Sequence, residues 1–295
     1  RVITSTLENV YETAVRENVK PPTLIAVGDV VELRDKLNFF ESKPLFGKNV
    51  IVTRSRTQSS SLVSKISDLG GNPIEVPTIK IEKIENNIAL ENEIKNIKDY
   101  TYLILTSKNA VDIFFDKLDE MDLDSRVLAN LKVCAIGSAT AKEIKNRGIK
   151  ADVVPEKFVA EYLFEELKDV LKDSDKVLIP RSKNARDFLV DKISEICEVK
   201  EVHIYETVLD DSKKDEVLDI LNSGEADYIT FASSSTVTNF VDIIGKENID
   251  KLNELKVISI GPITTQTAKD LNISIYKEAD IATIDGMIDC IMNDK

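Results

Sequence analysis

The chain has 295 residues, about two domains' worth at roughly 150 residues each. Its apolar fraction of 42% and charged fraction of 31% exclude a disordered chain, a collagen-like chain and a disulfide miniprotein. A net charge of −13, from 39 Lys and Arg against 52 Asp and Glu, argues against nonspecific binding to nucleic acid or anionic membrane. No apolar run approaches the ~20 residues of a membrane span. No signal-peptide pattern opens the chain, so a cytoplasmic location is expected. The chain starts at Arg1 rather than Met, in the style of a helix already under way, and reads as a piece of a longer polypeptide. Cys134, Cys197 and Cys290 are scattered with no CxxC pair, so neither a zinc site nor a disulfide framework is expected. Residue counts leave open a Ser-His-Asp triad on the single histidine, His203. Its neighbours Val202 and Ile204 read instead as a strand.

In chain order, Thr4 to Asn18 reads as a helix, with Leu7, Val10, Tyr11 and Val15 at helical spacing. Pro21 and Pro22 break it. Thr23 to Val27 reads as a short strand and Val30 to Phe40 as a second helical stretch. These first 41 residues are too few to hold a core of their own. Ser42-Lys43-Pro44 reads as a linker. Beyond it, three blocks recur in the same order. Lys48 to Arg54 returns as Asp175 to Arg181, Tyr102 to Val111 as Tyr228 to Val237, and Lys132 to Thr140 as Lys256 to Thr264. The offsets are 127, 126 and 124 residues. So constant an offset implies two similar halves.

Each block reads as a strand, a polar turn and a helix. The strands are short continuous apolar runs, as in parallel sheets buried on both faces. The helices carry apolar residues at i, i+3 and i+4: Leu62, Ile66 and Leu69 after the first block, Val111, Phe114, Phe115 and Leu118 after the second. Strands alternating with such helices predict an α/β fold with internal duplication.

Four turns occupy equivalent places at strand ends: Thr106 to Asn109, Gly137 to Thr140, Ala232 to Ser235 and Gly261 to Thr264. In open α/β sheets ligands bind at that edge. A helix start offers free N–H groups and a positive dipole end, and hydroxyl side chains there suit an anion. Ser, Thr and Asn also serve there as plain caps. Four repeated turns point to a polyanionic ligand. The strand-end arginines Arg54 and Arg181, with Arg56 and Arg186, could add forked carboxylate contacts or could form surface salt bridges. Because the net charge repels a polyanion, recognition would need such local donors. The chain carries no GxGxxG fingerprint after a strand, no GxxxxGK[ST] loop, no GxSxG elbow and no HExxH helix. Carboxylate pairs such as Asp210-Asp211 and Glu165-Glu166 read as solvated faces or turns.

From Val50 to Gln58 the sequence VIVTRSRTQ resembles the opening strand and Arg turn of the uroporphyrinogen-III synthase family. TSKNAV at Thr106 to Val111 and AIGSATA at Ala135 to Ala141, with Gly148 ending the helix, resemble its next motifs. VLIPRSKNAR at Val177 to Arg186, YET at Tyr205 to Thr207, FASSSTV at Phe231 to Val237 and IGPITT at Ile260 to Thr265 follow in order. Ile263 and Asn272 depart from the family pattern, where a hydroxyl residue and a glycine are common. The segment RVITSTLENVYETAVRENVKPPTLIAVGDVVELRDKLNFFE resembles the last stretch of an S-adenosylmethionine-dependent uroporphyrinogen-III methyltransferase, as in a fragment of a fusion protein.

The resemblance implies two doubly wound parallel-sheet domains joined by a two-stranded β ladder. Residues 44–78 plus 207–295 would form domain one and 79–206 domain two, after a tail remnant and linker at 1–43. The ladder strands would lie near Pro77–Lys83 and Val202–Val208, and a cleft between hinged domains would hold the substrate. The implied enzyme is a cyclising lyase that needs no metal and no cofactor. It closes linear hydroxymethylbilane with loss of water and inverts the terminal pyrrole. The resemblance implies a polycarboxylate tetrapyrrole as partner. Protein partners would be hydroxymethylbilane synthase or the missing methyltransferase domain. Tyr205 would assist hydroxide departure or only shape the site. Ser107, Lys108, Asn109, Ser138, Thr140, Ser233, Ser234, Ser235 and Thr264 would bind the carboxylates, with Arg54, Arg181, Arg186 and Lys256. A tetrapyrrole-binding or scaffold module without chemistry is the competing expectation.

Overall fold

The computed structural model describes residues 2–53, 56–157 and 159–294, with backbone only for 56–60. Ten strands follow in chain order: β1 (Asn49–Val52), β2 (Asn72–Glu75), β3 (Ile79–Lys83), β4 (Tyr102–Leu105), β5 (Lys132–Ala135), β6 (Lys176–Ser182), β7 (Glu198–Leu209), β8 (Tyr228–Phe231), β9 (Lys256–Ser259) and β10 (Lys277–Glu278). The chain forms two units, one running to Thr78 and resuming at Asp210, the other spanning Ile79–Leu209.

The first unit holds a parallel sheet ordered β10-β9-β8-β1-β2. The second holds β3-β7-β6-β4-β5, parallel except for β3. There, β3 runs antiparallel to the end of β7, from Ile79 opposite Leu209 to Lys83 opposite Tyr205. Helices cover both faces of the central strands, so β4 and β8 are buried at every residue, and the Thr230 hydroxyl of β8 donates to Ile51 O at 3.1 Å. Each unit is built of strands from both sequence repeats. β1 lies beside β8, and β6 beside β4. The repeat extends past its three blocks. Val153 bridges Cys134 just as Lys277 pairs with Ile258, again 124 residues on.

The Lys108–Glu120 helix buries Val111, Phe114, Phe115 and Leu118, the face its spacing predicts. Two helix ends repeat as well. Gly148 (φ +88°) and Asn272 (φ +61°) both sit in the left-handed region. Their N–H groups reach Lys145 O at 3.0 Å and Lys269 O at 2.9 Å. The following Ile149 and Ile273 reach back to Ile144 O and Ala268 O. That closes the same terminal motif twice, and Asn tolerates the conformation that Gly adopts freely. The departure at Asn272 therefore leaves the fold unchanged.

The front segment corrects the sequence reading. The first helix covers only Val10–Arg16, and Asp29–Leu33 with Arg34–Leu37 replaces one longer helical stretch. Thr23 to Val27 forms no strand. A lone apolar stretch becomes a strand only when it pairs, and this one pairs with none of the described strands. Leu24 stays 91% exposed and Ile25 72%.

The last turn of the chain is tied to the first unit's sheet. Asp294 accepts from Lys256, Tyr228 and Tyr276, and Lys256 also lies 5.0 Å from the Tyr276 ring centre. The Lys256 ammonium, then the two phenols, hold the Asp294 carboxyl below the usual carboxylate range. A group depressed on folding stabilises the protein above its unfolded pKa, and that contribution is lost as pH falls through the folded value. Asp294→Asn is therefore expected to lower Tm at pH 7. Thermal melts should show the gap from wild type closing as pH drops below about 4.

Candidate functional site

In each sheet the crossovers diverge at one crevice. In the second unit β4 leads to β5 and β6 leads to β7 on the other side, so the crevice lies between β6 and β4. In the first unit it lies between β8 and β1. Ligands of open α/β sheets gather outside the carboxyl ends of the strands at such points. Most of the predicted binding residues stand on these edges.

At the second unit's edge, Ser107 caps the Lys108–Glu120 helix, accepting from Ala110 N–H at 3.1 Å. Its Oγ lies 2.9 Å from the Tyr205 hydroxyl. Tyr205 comes from β7, opposite Lys83 of β3 and Ser182 of β6, and is only 5% exposed. Lys108 sits 3.7 Å from Glu143, a loose ion pair in an exposed place. Among the described residues the side chains of Asn109 and Ser138 make no hydrogen bond. Gly137 caps the Ser138–Asn146 helix, which leaves the first N–H groups without a side-chain acceptor.

The first unit repeats the pattern. Ser233 caps the Ser234–Ile244 helix, with Thr236 completing a reciprocal capping box. Ser235 Oγ lies 3.0 Å from Ser233 Oγ, and Ser234 donates to Ile263 O at 3.3 Å, tying two helix starts together. Gly261 caps the Pro262–Asp270 helix without a side-chain bond.

Thr140 and Thr264 occupy the same third position of equivalent helices, each 4% exposed. Neither hydroxyl makes a hydrogen bond among the described residues. No fully buried side-chain oxygen or nitrogen lacks a partner there either. The two hydroxyls therefore open to the surface beside free helix N–H groups.

Of the predicted binding cations, Arg181 and Lys256 are engaged within the fold, and Arg186 takes the salt-bridge alternative. Arg54 lies outside the described residues, and the Arg56 side chain is likewise not described. Arg181 is 3% exposed, and its guanidinium is consumed by Glu201, Asp187 and the Arg186 carbonyl. It braces β6 instead of offering a fork to a ligand. Arg186 is exposed and pairs with Glu161 at 2.9 Å. Lys256 starts β9, so it lies at the amino end of that strand, away from the helix starts, and is bound to Asp294. Arg181→Met should lower stability by about 2 kcal/mol, below the 3–5 of a fully buried pair because Asp187 stays in water. Its KM should match wild type in steady-state kinetics.

A cavity of ≈ 220 Å³ opens at the ends of β4, β5 and β6, walled by Thr106, Ile136, Ile179, Leu189 and the two arginines Arg181 and Arg186. Sequence reasoning missed its apolar wall, because nothing distinguishes Ile136 or Leu189 from core residues. His203 lies in β7 with Nε2 2.7 Å from Glu201, and no serine hydroxyl bonds to it among the described residues. The cysteines are buried and unpaired. Burial pushes the Cys134 thiol up to about 12, which removes it as a nucleophile at neutral pH. No group of three metal-ligating side chains occurs among the described residues. None of their helices is long and apolar enough to cross a membrane.

The sequence profile described as HEM4, uroporphyrinogen-III synthase HemD, matches residues 60–289. The chain is 37% identical over 293 residues to the porphyrin biosynthesis protein HemD of Ruminiclostridium josui. That match covers 99% of this chain and spans 57% of that relative's length. It is 30% identical to the uroporphyrinogen-III synthase of Synechococcus elongatus, covering 83% of this chain and 95% of that one. A solved structure of a mutant uroporphyrinogen III synthase from Thermus thermophilus aligns with TM-score 0.54 at 16% identity, over 82% of this chain and 96% of that one, and shows the shared fold. With its duplicated sheets and hydroxyl-lined helix starts, the chain belongs to the uroporphyrinogen-III synthase family.

Proposed function

We propose that the chain converts linear hydroxymethylbilane to uroporphyrinogen III. The observation that carries this reading is the Tyr205 phenol, fixed 2.9 Å from a capping serine at a strand edge rich in free N–H groups. The substrate's hydroxymethyl carbon adjoins an electron-rich pyrrole, so its C–O bond ionises readily. Electron density from the ring expels hydroxide, and an azafulvene remains. The Tyr205 O–H donates to the departing oxygen and stabilises the charge that develops there. Ring closure at the substituted carbon gives a spiro intermediate, which opens and recloses with the last pyrrole inverted. Loss of a ring proton balances the hydroxide as water.

Unassisted closure gives the uninverted isomer. The protein's task is therefore to hold the chain for attack at the substituted carbon. The acetates and propionates of the substrate match the hydroxyls of Thr140, Thr264, Ser233 and Ser235 and the N–H groups beside them. Backbone donors survive side-chain substitution, so single variants should weaken the enzyme without silencing it.

The front segment supports a second part of the reading, that it is the end of a methyltransferase. Leu24, Ile25, Phe39 and Phe40 are apolar side chains left exposed. The cofactor loops of such an enzyme are not in this sequence, and no methylation is expected of this chain.

The test supplies freshly generated hydroxymethylbilane, oxidises the products and separates isomers I and III by chromatography. Predominantly isomer III establishes the synthase. Isomer I alone from folded protein would mean a tetrapyrrole-binding or scaffold module.

A further inference from the structure

We propose that Ser107 is a positioning residue for Tyr205, an inference that rests on the activity proposed above. A serine hydroxyl has one proton to give and two lone pairs. One lone pair of Ser107 already takes Ala110 N–H at 3.1 Å. That bond, together with the positive end of the Lys108–Glu120 helix, polarises the hydroxyl toward donation. The 2.9 Å separation suits donation by either hydroxyl, and this polarisation assigns the donor role to the Ser107 O–H, with the Tyr205 oxygen accepting. Donation to that oxygen leaves the phenolic proton free to face a ligand, and it makes the phenol a stronger donor. A Tyr205 that spent its proton on Ser107 could not stabilise a leaving hydroxide.

The duplication supplies an internal control. Ser233 is the equivalent cap, 126 residues on. There Thr236 replaces Ala110 and closes the capping box, and Ser235 takes up Ser233 Oγ at 3.0 Å. Among the described residues the bonds of the Ser233 side chain stay within residues 233–236. In the second unit the third helix position is Ala110, which has no hydroxyl. Ser107 instead reaches across to a strand 98 residues away in sequence. One half has kept the cap as a local device and the other has turned it toward a phenol.

The experiment measures kcat and KM for isomer III formation, with Tm, for wild type, Tyr205→Phe, Ser107→Ala, Ser107→Asp, Ser107→Thr and the Ser107→Ala/Tyr205→Phe double variant. Tyr205→Phe should lower kcat about tenfold, the effect of losing one hydrogen bond. Ser107→Ala should lower kcat by a similar factor, and the double variant should be no slower than Tyr205→Phe. Aspartate caps a helix as well as serine does, so Ser107→Asp should keep its Tm. Its carboxylate can only accept, however, and draws the phenolic proton away from the ligand. Its kcat should fall to the Tyr205→Phe level. Ser107→Thr restores an O–H at the cap and should recover most of what Ser107→Ala loses.

Wild-type kcat in Ser107→Asp, an unimpaired Tyr205→Phe, or losses that multiply in the double variant would each overturn the role of Ser107. If Ser107→Ala does not fold, the Asp and Thr variants decide the matter alone. Isomer I from the wild-type protein would overturn the activity itself, and with it this role. Isomer III from wild type, with wild-type kcat in Ser107→Asp, would overturn the positioning role only.

Discussion

Phe231→Ala is expected to destabilise the protein by about 3–5 kcal/mol, the largest stability loss of any single substitution considered. Phe231 closes β8, is fully buried, and meets the Phe240 ring edge-on at 5.7 Å between centres. Its buried cluster includes Ile229 of the same strand, Ile51 and Val257 from the two neighbouring strands, and Val237 of the helix that follows β8. Truncation removes the ring's transfer energy and leaves a cavity whose walls belong to regular elements, so little collapse can offset it. The repeat says what the site tolerates. The equivalent residue 126 positions earlier is Leu105, also fully buried. Phe231→Leu should therefore cost about 1.5 kcal/mol or less. Urea denaturation would show the difference as a shift in midpoint at nearly constant slope. Equal losses for Ala and Leu would mean that ring geometry, not volume, fills the site.

Burial and repetition explain how much of the fold can be read from the sequence. Strands such as Leu103-Ile104-Leu105 declare themselves because a parallel strand covered on both faces is a nearly continuous apolar run. The turn serines declare themselves because a helix start needs an acceptor. The front segment misleads for the converse reason. Thr23 to Val27 has strand composition, but pairing is a property of two strands, and no described strand pairs with it. Charged residues are the hardest to read. The arginine of β6 looks like an anion fork in sequence, and only the parallel pairing of β6 with β7 brings Glu201 to its Nε. Lys256 reads as a strand-start cation, but direction along β9 decides which edge it serves. The bond between Ser107 and Tyr205 is equally invisible in one dimension. It depends on β7 and β4 both flanking β6, which no local pattern encodes.

Replacing Thr140 and Thr264 together by valine is expected to give the largest loss of activity, about 100-fold in kcat/KM, from two losses of roughly tenfold each. Valine keeps the shape of threonine and removes only the hydroxyl. Both side chains are 4% exposed, and neither hydroxyl serves the fold through any hydrogen bond among the described residues. Stability should therefore stay within about 0.5 kcal/mol of wild type. A hydroxyl without a structural partner among the described residues, twice, at the third residue of equivalent helices, is what the proposed carboxylate binding calls for. The substrate proposed here carries carboxylates, and each threonine would add one donor to the N–H groups already at its helix start. The two hydroxyls share no partner, so their losses should add in free energy. If they bind carboxylates equally before and during ionisation, the loss should appear in KM with kcat retained, the opposite of Tyr205→Phe. The ratio of isomer III to isomer I then tests whether grip also dictates ring inversion. A double variant that binds weakly but still yields only isomer III would assign the inversion to the Tyr205 edge. A double variant that releases isomer I would show that inversion depends on the grip that the threonine hydroxyls supply.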